Sequence, residues 1–157
     1  MENRKTLHDF SLIIILLALL SAFLFVGTLV SGWVNGSVDR LIASTDPSLA
    51  LATKICIGVY AGLEICLILS QVAIGCKGLN VSQKPTSDKG YIVAAKIFFA
   101  LSIIAAISAI FSIVGAKNGY VIDTILRFVS AALDVAIYGM FIKAANDVRR
   151  DVIAETK

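Results

Sequence analysis

The chain has 157 residues, 58% hydrophobic and 16% charged, with a mean hydropathy of +0.88. Soluble domains are nearer about 45–50% apolar and about 25% charged, so a soluble globule of this size has no interior large enough for the excess. The net charge of +3 comes without a dense basic cluster, which argues against a nucleic-acid surface and leaves the lipid bilayer as the expected surrounding.

The first nine residues are short and polar. Residues 10–34 then carry no charge. About 25 residues of helix rise roughly 37 Å, enough to cross a hydrocarbon core of ~30 Å with some tilt. The run is too long for a cleaved signal peptide, and its exit lacks a small-residue cleavage pattern, so it reads as a retained signal anchor. Trp33 suits the membrane interface.

Residues 35–48 form a connection holding Gly36, Asp39, Arg40, Asp46 and Pro47; Pro47 fits a turn or a first helical position. The second apolar run is 49–76, with Lys54 near its start and Glu64 near its centre. Residues 77–90 read as the second connection, with Gly78, Pro85, Gly90, Lys77, Lys84 and Lys89. The third run is 91–116, with Lys96 near its start. Residues 117–120 contain Asn118-Gly119, a turn so short that it forces the third and fourth segments into a tight hairpin. The fourth helix is expected over 121–146, with the charged tail extending it into water. The two halves share nothing beyond hydropathy, so no internal repeat is supported. The expected fold is all-α: a polytopic membrane protein whose four transmembrane helices form one compact bundle across 1–157.

Orientation follows from lysine and arginine in the flanks. The N-terminus, second connection and tail hold nine: Arg4, Lys5, Lys77, Lys84, Lys89, Lys143, Arg149, Arg150 and Lys157. The opposite side holds two, Arg40 and Lys117. Both termini of a multi-pass cell-membrane protein are therefore expected in the cytoplasm.

Catalytic motifs are missing. Cys56, Cys66 and Cys76 lie ten residues apart, roughly 80° off a common helical face at each step, so they neither pair nor cluster within their helix. They read as buried apolar thiols. No CxxC pair occurs, and His8, the single histidine, belongs to no HExxH. The chain is expected to be no enzyme and to need no metal or cofactor.

Two polar stripes carry the functional expectation. On the fourth segment Asp123, Arg127, Ser130, Asp134 and Tyr138 follow steps of four, three, four and four, which place them on one helical face. Such a face avoids lipid and seeks protein, water or an opposite charge. Asp123 and Arg127 read as an i,i+4 structural ion pair that Lys54 is close enough in depth to join. On the second segment Tyr60, Glu64 and Gln71 share a face. Glu64 and Asp134 fall within about one turn of each other in depth. If the faces met, two carboxylates in a low-dielectric site could not both ionise cheaply, an arrangement suited to carrying protons or binding a cation. Tyr60 and Tyr138 would add hydroxyls. Small residues at Gly58 and Gly62, at Ala105, Ala109, Ser112 and Ala116, and at Ala132, Ala136 and Gly139 let helices approach closely. The expected function is a proton-coupled or cation transport or channel component, as a homo-oligomer or with a partner membrane subunit. The alternative is a non-catalytic accessory or assembly subunit whose charged faces pair with that partner.

Overall fold

The computed structural model describes residues 2–36, 40, 42, 49–115 and 121–155, with backbone alone for 113–115 and 121–123. Four long helices account for nearly all of them: α1 (Glu2–Val34), α2 (Ala50–Gln83), α3 (Gly90–Gly115) and α4 (Val121–Glu155). No strand occurs among the described residues. All four helices are long and apolar enough to cross a membrane, the pattern of a multi-pass membrane protein. The Pro47 connection and the Asn118-Gly119 turn lie outside the described residues.

Each helix boundary has a local cause. Glu2 places a carboxylate in the first turn of α1, where the helix dipole favours it. At the other end Gly36 adopts φ 61° and donates its N–H to the Trp33 carbonyl at 3.1 Å, a left-handed position that a side chain would strain. Lys84 closes the last turn of α2 through its N–H to the Asn80 carbonyl, and Pro85 follows where the helix can no longer continue. Asp88 then starts α3: its Oδ1 accepts the Gly90 N–H at 3.0 Å, and its Oδ2 lies 3.4 Å from Lys77 Nζ. The Gly90 N–H, helped by the Lys77 ammonium, holds the Asp88 carboxyl below the usual carboxylate value.

Three helices outrun the apolar segments that announced them. α1 begins at Glu2 rather than at 10 and α2 ends at Gln83 rather than at 76, while α4 runs on to Glu155, the charged tail extending the helix as expected. Hydropathy marks where the bilayer stops. The backbone keeps its helical bonds as long as one face can be buried, and here each extension has such a face. α4, at 35 residues, is about 52 Å long, some 20 Å more than the hydrocarbon core requires.

The chain divides into two compact units, one of Met1–Ile14 with Ile74–Lys157 and one of Ile15–Ala73. The first unit contains the hydrophobic core. Leu7 and Ile14 from α1, Ile74 and Val81 from α2, Tyr91, Ile92 and Ala95 from α3, and Tyr138, Phe141, Ala144, Ala145 and Val148 from α4 form one buried cluster. α3 and α4 pack antiparallel along each other. The Phe98 and Tyr138 rings stack at 5.6 Å, and Tyr91 meets Phe141 edge-on at 6.0 Å. Gly139 lets α4 approach Phe99. Polar contacts gather the helix ends: Asn3 donates to Asp151 at 3.4 Å, Arg4 lies 4.0 Å from Glu155, and Arg149 Nε donates to the Ser87 carbonyl at 3.3 Å. The N-terminus, the α2–α3 link and the C-terminal end of α4 thus share one end of this unit. Those exposed pairs contribute little energy; the apolar cluster beneath them does the holding.

At the centre of the cluster lies Gly78. A Cβ there would fall on Ser11 Oγ and 2.7 Å from Phe141 Cε2, so α1, α2 and α4 converge where only a hydrogen fits. Ser11 is fully buried, and its hydroxyl donates to the Leu7 carbonyl at 2.6 Å. Tyr91 is 5% exposed, and its hydroxyl finds no hydrogen-bond partner among the described residues. A buried unsatisfied hydroxyl costs about 1–3 kcal/mol. Tyr91→Phe should therefore raise thermal stability in detergent, by about 1–2 kcal/mol in unfolding free energy, and a lowered melting temperature would show that the hydroxyl is bonded after all.

The second unit, the remaining length of α1 and the first part of α2, exposes mostly apolar side chains. Phe23, Trp33, Val34, Leu51 and Leu69 are all more than half exposed. None of the most apolar window of α2 is buried. Lipid tails are as apolar as leucine, so on a helix that crosses a membrane apolar side chains gain nothing by turning inward, whereas those at a water-flanked helix end do. The same reason corrects the cysteines: Cys56, Cys66 and Cys76 are exposed, not buried.

A candidate site between α1 and α2

In the second unit, α1 and α2 enclose an open-sided groove of about 310 Å³. α1 contributes Ser21, Leu24, Phe25, Thr28 and Leu29, whose spacing of three, four, seven and eight residues is one helical face. α2 contributes Tyr60 and Glu64, one turn apart. The Thr28 hydroxyl donates to the Leu24 carbonyl at 2.9 Å, so its oxygen faces a ligand as an acceptor only. Glu64 is half-buried and makes no hydrogen bond or ion pair within its unit among the described residues. A carboxylate without a local partner is costly on a helix apolar enough to cross a membrane, and here two helices bring hydroxyls and aromatic rings to the groove that it lines.

The other expected residues fall as follows. Tyr60 joins Glu64 in the groove. Gln71 is half-buried on α2 but does not line it. Lys54 is exposed near the start of α2. Asp134 and Tyr138 belong to the first unit. There Tyr138 is buried with its ring against Phe98, and Asp134 is half-buried one turn earlier on α4. The α4 stripe is sheltered at Tyr138 and opens to the surface at Ser130 and Arg127 as the core thins out. The Asp123 side chain, and with it the Asp123–Arg127 pair, lies outside the described residues. Gly58 and Gly62 present an open face, where added Cβ atoms would meet nothing within 4 Å.

Sequence reasoning missed Ser21 and Thr28. They are uncharged and sit in a run without charges, so no polarity signal drew the eye. Their i,i+7 spacing, two turns on one face, was the available clue. Among the described residues no group of His, Cys, Asp and Glu is placed to hold a metal ion. Compared with protein-family models, with curated proteins and with solved structures, the chain matches none.

Proposed function

We propose that the chain is a small component of a membrane transport or channel system, inserted as four spans with both termini in the cytoplasm, and that Glu64 is its proton- or cation-binding group. The α1–α2 groove carries this reading. It sets one carboxylate among hydroxyls and aromatic rings in an otherwise apolar half of the chain. The excess of lysine and arginine in the flanks that meet at one end of the first unit supports the orientation. Oligomerisation is supported by the unburied span of α2 and the open Gly58–Gly62 face, which suit a second copy or a partner subunit.

The test is flux in liposomes holding the purified chain, with an internal pH dye and an imposed cation gradient. The wild type should dissipate the gradient, and Glu64→Gln should slow this at least tenfold. A wild type no faster than protein-free liposomes would overturn the transport reading. Glu64, Gln71 and Lys54 would then be explained as contacts to another membrane protein, and the chain as its accessory subunit.

A further inference from the structure

We propose that the α1–α2 groove takes a small organic monocation with an apolar body, an inference that rests on the transport reading and names its substrate class. Charge comes first. Among the described residues that line the groove, Glu64 is the one carboxylate and no basic side chain accompanies it, so the occupant that balances it is a monocation, and an anionic or zwitterionic molecule would set its own negative charge against it. Size comes second. The groove holds about 310 Å³, whereas a water molecule claims about 30 Å³ of liquid, so a bare metal ion, no larger than a water, would leave most of it unfilled. The volume lies at the small end of the ~300–1,000 Å³ found for organic-ligand sites.

The donor set agrees. Divalent cations take about six to eight oxygens. The groove offers the two carboxylate oxygens of Glu64 and the hydroxyls of Ser21, Thr28 and Tyr60, and no metal-holding group exists among the described residues. Phe25 and Tyr60 instead supply aromatic faces, which attract a poorly hydrated ammonium far better than a hydrated metal ion. Leu24 and Leu29 add apolar wall for a hydrocarbon body. Because the groove is open-sided in a unit whose exposed side chains are mostly apolar, such a molecule would enter from the bilayer.

The experiment measures binding of benzyltrimethylammonium to the full chain in mild detergent by equilibrium dialysis. Neopentylbenzene, its uncharged isostere, is the control, and sodium and potassium chloride are the competitors. The quaternary ammonium should bind and the isostere should bind at least tenfold more weakly. Glu64→Gln should weaken binding at least tenfold, Glu64→Asp should keep it within a few-fold, and Tyr60→Leu should weaken it several-fold. If Glu64→Gln fails to fold, the isostere comparison and Tyr60→Leu decide. Equal binding of the isostere, unchanged binding to Tyr60→Leu and Glu64→Gln, or displacement by equimolar sodium or potassium would each overturn the proposal. The two readings fail separately. Glu64-dependent flux without ammonium binding would remove this substrate class and keep the transport reading. Ammonium binding without flux would keep the site and remove transport.

Discussion

Gly78→Leu should leave no folded protein in detergent, and Gly78→Ala should be destabilised although alanine is the better helix former. The gain in helix propensity from glycine to alanine is about 1 kcal/mol. Against it stands a Cβ placed on Ser11 Oγ and 2.7 Å from the Phe141 ring, inside distances that real Cβ atoms do not reach. Overpacking of this kind costs about 1–3 kcal/mol when neighbours can shift by a few tenths of an ångström. Three helices meet here, so none has a free direction to move. A net loss of about 1–2 kcal/mol is expected for alanine, and a loss exceeding the stability of the fold for leucine. Ser11→Ala removes one of the two obstructing groups. The double variant Ser11→Ala with Gly78→Ala should therefore recover part of the loss, and the coupling between the two positions should appear in melting temperatures. Additive effects would mean that α1 and α2 do not approach at this point.

The second large effect is expected at Phe141, which is fully buried and touches both the Gly78 crossing and the Tyr91 ring. Phe141→Ala should cost about 3–5 kcal/mol from lost burial and the cavity left behind. The edge-on contact with Tyr91 contributes up to about 1 kcal/mol of this. The control is built into the chain. Phe23 is 76% exposed and Phe111 is 73% exposed, so the same substitution there should change unfolding by no more than about 0.5 kcal/mol. Circular-dichroism melts of the three variants in one detergent make the comparison. Similar losses at all three positions would place the stabilising core elsewhere than at the shared ends of the helices.

The helix count and type were legible because four long apolar runs with short polar links allow little else in a bilayer. Where α1 begins and α2 ends was not. Lys77 and Gly78 looked like the opening of a loop, since a charge and a glycine interrupt an apolar run. In the fold Ile74, Gly75, Gly78, Val81 and Ser82 are one buried face of a helix that has merely left the apolar segment. Glycine served opposite ends from those expected. The Gly58–Gly62 pattern suggested close packing and stands open, while Gly78, read as a loop residue, marks the tightest crossing. At the candidate site the Tyr60–Glu64 pair was visible from charge and spacing alone. Its α1 partners were not, because Ser21 and Thr28 are weak signals one at a time and their meaning depends on which helix lies opposite.

Tyr138, Phe141, Ala144, Ala145 and Val148 supply nearly half of the buried cluster, and all belong to α4, the last of the four helices to be synthesised. Until they emerge, Leu7, Ile14 and Val81 lack the α4 part of the cluster to close against. The cluster is thus completed only after the other three helices have been made. A message cut short before Tyr138 would yield a chain that displays an unfilled apolar face, the kind of surface that chaperones hold and proteases remove.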